Sequence, residues 1–291
     1  MARRADPRFD APTRRVAPAA VAAASVALMA LFSVCAIDAW GQGDADPKDS
    51  RANLIAALRE QGVELDFEVG AVSIAAEILE RDGLLEYLLV GPRGAGHESL
   101  FGTQVGASAI HTAMLLMGFA PGANAQWIAN PMGAQIGARR PSFDVLPPEH
   151  AAGAPGVHLY AGWRRGDEVY FYRIEDLIAD LSTGAAMRRH GWVYLGSKEI
   201  PPRGDQPGGF AADLVGNLIS VCFFAEGQTL ATAALPECLD QTIWTANPWL
   251  LPERGQPVRF VLARAPVAAP SPALIALLPD LGAIAPTDND E

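Results

Sequence analysis

The chain has 291 residues, half of them apolar and 19% charged, with 22 basic and 33 acidic side chains. This apolar share is sufficient for a buried core, so the composition excludes an intrinsically disordered chain. The formal net charge of -11 argues against a nucleic-acid partner, because such a protein needs a basic surface to meet phosphates.

The first 41 residues have the layout of a secretory signal. Basic residues come first and end in the pair Arg14-Arg15, after which residues 16–37 carry no charge. We predict a signal peptide over residues 1–41, and the arginine pair is compatible with twin-arginine export. The alternative is an uncleaved N-terminal anchor, because residues 16–37 are long enough to span a bilayer. Both interpretations predict an extracytoplasmic protein, periplasmic or secreted, and the anchor would be its membrane contact.

Residues 42–62 are predicted to form a leader and a short helix at 52–61, which Gly62 would end. Strand patterns follow at 63–68, 72–79 and 84–90, and the Asp82-Gly83 turn between the last two predicts a hairpin. A further strand is predicted at 97–101. Apolar residues recur at helical spacing over 108–117 and predict the principal helix. Residues 119–156, rich in Pro, Gly and Ala, are predicted to be a flexible excursion.

Strand patterns resume beyond the excursion, at 157–163, 168–172, 191–196, 210–214, 217–224 and 258–262, with a short helix at 174–181. These elements predict one domain over residues 63–264, followed by a Pro- and Ala-rich acidic tail at 265–291. We expect an α+β fold, made mainly of antiparallel β-sheet with one principal helix packed on it.

One group of polar residues lies together in the predicted strands and helix. Glu86 shares a strand face with apolar residues, so its carboxylate needs a hydrogen-bond partner. The next strand and the helix offer His97, Glu98, Ser99 and His111. We interpret the set as a polar network that ties helix to sheet. Two alternatives stay open: a divalent metal site made of the histidines and glutamates, and a nucleophilic set made of Ser99, His111 and Glu86.

A second polar cluster, Asp213, Asn217 and Ser220, surrounds Gly216 and is interpreted as a tight hairpin. Cys222 and Cys238 are predicted to form a disulfide, because two cysteines in an exported chain are usually paired. Two unpaired buried thiols are the alternative.

The sequence contains no P-loop, no HExxH, GxSxG or CxxC motif, and no GxGxxG after a strand. Three tryptophans either line a ligand groove or cover the core: Trp127, Trp244 and Trp249.

Several motifs follow one another in a fixed order: GLLEYLLVGP at 83–92, HESL at 97–100, IHTAMLLMGFAPG at 110–122, WVYLGS at 192–197, AAD at 211–213, GNLIS at 216–220 and PV at 257–258. Together, over roughly residues 63–264, they resemble the YdjY-domain family. The resemblance implies an exported bacterial protein, and some family members carry the domain beside membrane iron–sulfur modules. No activity is defined for the family, so no catalytic role transfers to the motif residues, which are Glu86, His97, Glu98, Ser99, His111, Asp213 and Asn217. The excursion at 123–150 and the two cysteines depart from the family pattern.

These features predict an exported, non-enzymatic binding or accessory domain, with a membrane-bound redox protein as the partner that the resemblance implies. No cofactor is predicted. The first alternative is a metal-dependent enzyme that uses the histidine and glutamate cluster. The second alternative is a small-ligand-binding protein with tryptophans in its site.

Overall fold

Eight strands close into a β-barrel in the structure, a computed structural model that describes residues 47–122, 124, 126–129, 139–142, 156–205 and 207–283. The chain divides into two compact units, Met1–Ser50 and Arg51–Glu291, and the barrel belongs to the second. Of the first unit, residues 47–50 are described, as the start of a helix. The predicted signal segment at 1–41, most of the excursion at 119–156 and the tail beyond residue 283 lie outside the described residues.

Four α-helices are described: α1 (Pro47–Glu60), α2 (Ala107–Leu116), α3 (Ala211–Val215) and α4 (Pro272–Ala276). The strands of the first half are β1 (Val63–Asp66), β2 (Ala71–Ile78), β3 (Tyr87–Val90), β4 (Ser99–Gly102), β5 (Gln126–Ala129), β6 (Arg139–Ser142), β7 (Gly156–Arg165) and β8 (Glu168–Arg173). The remaining strands are β9 (Ile178–Asp180), β10 (Ala185–Ala186), β11 (Trp192–Tyr194), β12 (Glu199–Ile200), β13 (Gly209–Phe210), β14 (Asn217–Ser220), β15 (Ala231–Thr232), β16 (Trp244–Ala246) and β17 (Pro257–Ala263).

The barrel closes because β2 pairs at both ends of the strand order. Around the ring the order is β2, β17, β7, β11, β15, β14, β3 and β4, and β4 returns to β2. β1 shares one edge of β2 with β4, since β1 pairs with residues 71–74 and β4 with residues 77–78. β8 likewise shares one edge of β7 with β11. Two pairs, β3 with β4 and β14 with β15, are parallel.

The predicted fold of an antiparallel sheet with one principal helix packed on it is therefore wrong. The expected hairpin at Asp82-Gly83 does not form, since β3 pairs with β14 and β4 and not with β2. The side chain of Glu80 accepts hydrogen bonds from the backbone N–H groups of residues 81–83 and turns the chain away from β2. The N–H of Leu85 then donates to the carbonyl of Trp244, so the chain runs beside β16 before β3 begins.

The main core fills the barrel. Alternate side chains of the long strands point into it, including Val72, Ile74 and Ile78 of β2, Leu159 and Trp163 of β7, and Phe260 and Leu262 of β17. A smaller cluster lies on the outer face of the same strands and includes Tyr160, Val261 and Leu274. Leu274 belongs to α4, so this part of the predicted tail packs on the barrel and contains a helix.

Helix α2 ends as the sequence predicts. Gly118 has a left-handed backbone with φ of +78°, which a residue with a side chain adopts only at a cost. Its N–H donates to the carbonyl of Leu115, and the N–H of Phe119 donates to that of Met114, the pair of bonds that defines a Schellman cap. The predicted strand at 210–214 is wrong, because residues 211–215 form α3 instead. The hydroxyl of Ser197 accepts a hydrogen bond from the N–H of Ala212, one of the N–H groups in the first turn of α3 that have no partner within the helix.

Candidate functional site

Glu86 and Glu98 lie together where β3 and β4 begin. The N–H of Glu86 donates to the carbonyl of Glu98 at 3.0 Å. Burial raises the pKa of Glu86, the negative charge of Glu98 raises it further, and His97 opposes the shift. His97 is 78% exposed, and its Nε2 lies 3.2 Å from Glu98 Oε1. Part of the predicted polar cluster is thus present, as a carboxyl pair at the barrel wall.

Ser99 belongs to the same segment but faces inward. It is fully buried, and its hydroxyl donates to the carbonyl of Ala95 at 2.6 Å. This hydroxyl holds the loop before β4 and is not exposed to a substrate. The nucleophilic set of Ser99, His111 and Glu86 is therefore wrong.

His111 lies in a different environment from the carboxyl pair. Its Nδ1 is 2.6 Å from the hydroxyl of Tyr194, and its ring packs at a 41° tilt against Phe210, with centroids 5.2 Å apart. Burial lowers the pKa of His111. The predicted network tying the helix to Glu86 is therefore replaced by a contact between α2 and β11.

The second predicted cluster holds two loops in place. Both carboxylate oxygens of Asp213 lie 3.3 Å from the N–H of Ser108, at the start of α2, so Asp213 acts as a helix cap from outside the helix. The side-chain oxygen of Asn217 accepts the N–H of Ala95 at 2.9 Å. Ser220 is buried in β14. The expected tight hairpin is instead the junction between α3 and β14.

Cys222 and Cys238 are free, buried thiols, so the predicted disulfide is not formed in the structure. Burial raises the pKa of both thiols, to about 12 for Cys238. The two residues are nevertheless adjacent, because the N–H of Phe223 donates to the carbonyl of Cys238 at 2.8 Å. Adding the intervening backbone bonds places the two Cα atoms within about 7.6 Å of each other.

Trp244 and Trp249 do not line a common groove. Trp244 is buried in the core, whereas Trp249 is 93% exposed. The side chain of Trp127 lies outside the described residues. Among the large apolar side chains of the described part of the chain, Trp249 is the most exposed.

A buried ion pair was not predicted. Glu175 has no exposed surface and accepts hydrogen bonds from Arg173, at 3.0 and 2.6 Å, and from the indole N–H of Trp192 at 3.2 Å. The backbone N–H of His190 donates to the same carboxylate at 3.3 Å. Burial alone would raise the pKa of Glu175, but the Arg173 hydrogen bond and the neighbouring positive charges outweigh it and lower the pKa. Arg173 ends β8, and Glu175 lies in the 3-10 turn that follows it, so no strand or helix spacing in the sequence indicates that their side chains meet.

In the residues that the structure describes, no three His, Cys, Asp or Glu side chains converge to hold a metal ion. Within the same residues, no helix is long and apolar enough to cross a membrane. No family model, curated protein or solved structure matches the chain. The resemblance to the YdjY-domain family thus stays a prediction.

Proposed function

We propose that the chain is an exported, non-enzymatic binding domain that docks onto another protein through Trp249. The observation that carries the proposal is the 93% exposure of this indole. Tryptophan is among the residues that contribute most to binding at protein interfaces.

The turn that presents Trp249 is fixed on both sides. A guanidinium nitrogen of Arg81 donates to the carbonyl of Pro248 at 2.9 Å, and Arg81 also forms an ion pair with Glu253. Leu251, two residues after the tryptophan, is buried in the core. Because the backbone of this turn is already fixed, binding does not have to order it, and this lowers the entropy cost of the contact.

Several polar residues of the two predicted clusters stabilise loops or helix ends in the structure. Ser99 holds its own loop, Asn217 holds the loop at Ala95, and Asp213 caps α2. These roles support a domain whose polar residues stabilise its structure. The resemblance to YdjY-domain proteins supports a partner in a membrane iron–sulfur assembly.

The proposal is tested by placing a photoreactive phenylalanine analogue at position 249 in cells that express the full chain. The matched control carries the same analogue in place of Val169, which is 40% exposed on β8. We expect one protein adduct from position 249 and none from position 169. The purified partner should then bind Trp249→Ala at least about tenfold more weakly than wild type, as for a typical hot-spot residue. Adducts of equal yield at both positions, or unchanged affinity of Trp249→Ala, would refute the proposal.

A further inference from the structure

His111 presents one ring nitrogen to its neighbour and the other to solvent. Nδ1 is 2.6 Å from the hydroxyl of Tyr194, whose ring is fully buried. Nε2 makes no hydrogen bond to any described residue and is not sealed from water. The ring is half-buried between α2 and β11.

The contact with Tyr194 fixes which nitrogen of His111 carries the proton. The described partner of the Tyr194 hydroxyl is His111, and a buried hydroxyl must donate its hydrogen to avoid a large cost. An imidazole nitrogen is a stronger acceptor than a phenol oxygen, so the hydroxyl donates to Nδ1. The proton of the neutral ring is then on Nε2, which becomes a donor that points outward.

The surroundings favour the neutral ring. Burial lowers the pKa of His111, because a buried imidazolium loses hydration. Phe210 covers one side of the ring, and Leu115 follows one helical turn later, 47% exposed. Gly196 lies against the ring, where a Cβ would come within 3.3 Å of His111 Cε1. Its left-handed φ of +75° also disfavours a side chain at this position.

We propose that His111, Tyr194 and Phe210 form a binding site for a small planar molecule that presents a carbonyl or carboxylate oxygen. The oxygen accepts the hydrogen bond from His111 Nε2, and the planar body of the ligand packs on the exposed edge of Phe210. This site is separate from the Trp249 turn and does not depend on the protein-docking proposal.

The first test measures the proton position directly. In protein labelled with ¹⁵N at its histidines, long-range NMR correlations distinguish a protonated from an unprotonated ring nitrogen, and His111→Gln assigns the signal. We expect Nε2 of His111 to carry the proton at neutral pH. Protonation at Nδ1 would overturn the proposal, whether or not any ligand binds.

The second test titrates the same sample with benzamide, benzoate and aniline. The first two present an acceptor oxygen, whereas aniline has a similar ring without one. We expect benzamide or benzoate to shift the His111 signals and to leave those of the exposed His97 unchanged. A shift with benzamide alone assigns a carbonyl ligand, and a shift with benzoate alone assigns a carboxylate. No shift with either, or an equal shift with aniline, would overturn the proposal.

Tyr194→Phe tests the link between the two residues. It removes the donor to Nδ1, so the His111 ring should populate both neutral forms and the probe should bind at least about fivefold more weakly. Tyr160→Phe is the matched control, because the Tyr160 hydroxyl accepts the N–H of Val267 on the outer face of the barrel. Equal affinity of Tyr194→Phe and wild type would overturn the role of Tyr194.

Discussion

Replacing Glu175 with alanine should destabilise the barrel unit more than any surface substitution. The carboxylate is fully buried and accepts four hydrogen bonds, two of them from Arg173. Without it, the Arg173 guanidinium keeps its bond to the carbonyl of His190 at 2.7 Å but loses its negative partner. A buried charge without its partner is destabilising because the low-dielectric interior does not replace lost hydration.

The expected loss follows from the type of contact. Breaking a buried ion pair by removing one partner costs about 3–5 kcal/mol. For a unit of this size, that corresponds to a fall in Tm of roughly 6–20 °C. Because the pKa of folded Glu175 is lowered, its stabilising effect is present above the ordinary glutamate pKa of 4.5. It is lost as the pH falls through the folded value, so the difference between wild type and Glu175→Ala should shrink in acid.

Urea unfolding measures the free energy of unfolding of each variant at neutral and acidic pH. Asp176→Ala is the matched control, because Asp176 pairs with the exposed Arg189 and its loss should cost at most about 1 kcal/mol. The double variant Arg173→Met, Glu175→Leu should recover part of the loss by removing both charges. A loss below about 1 kcal/mol in Glu175→Ala would refute the reasoning, since the pair would then contribute no more than a surface contact.

Three other substitutions or treatments test separate parts of the structure. Asp213→Ala should lower the free energy of unfolding by about 1 kcal/mol, because α2 loses its cap, and urea unfolding measures it. Glu86→Gln should stabilise the protein at neutral pH. Because the pKa of folded Glu86 is raised, the free energy of unfolding of wild type falls as the pH rises above 4.5 through the folded pKa, and glutamine does not ionise. Alkylation of the native protein with iodoacetamide should leave Cys222 and Cys238 unmodified, because burial keeps both thiols protonated and away from the reagent, and mass spectrometry of their peptides measures it.

Each of these has its own control. Asp213→Asn keeps an acceptor oxygen at the start of α2 and should retain most of the stability that Asp213→Ala loses. Glu98→Gln removes the neighbouring charge and should weaken the pH dependence that Glu86 causes. If the difference in the free energy of unfolding between wild type and Glu86→Gln does not change with pH, the raised pKa of Glu86 is contradicted. For the cysteines, the control is the same alkylation in urea, which should modify both thiols; modification of both in the native protein would contradict their burial.

The local pattern of the sequence predicts single elements better than their partners. Helix α2 and strands β7 and β8 fall where the apolar pattern of the sequence places them. The closure of the barrel depends on β17, which pairs with β2 across nearly the whole domain. No spacing of nearby residues encodes such a pairing, because it is selected by the match of whole strand faces in the core.

The candidate site divides for the same reason. Glu86 and Glu98 are close in sequence and meet in the structure, as the sequence predicts. His111 turns toward Tyr194, which lies 83 residues further along the chain, so the helix could be predicted but its neighbour could not. The sequence shows that position 249 is a tryptophan but not that its side chain is exposed. The exposure depends on a turn that is held by Arg81, a residue distant in sequence, and by the burial of Leu251.

Strand β17 is the last strand of the barrel to be synthesised, and it lies between β2 and β7. In a chain that ends before Pro257, one edge of β2 and one edge of β7 have no partner, because β17 pairs with both strands. Pairings of such long sequence separation form slowly, and unpaired edges are prone to join other chains. A protein truncated before β17 would therefore not be a smaller barrel but an open sheet, and its expected fate is aggregation or proteolysis.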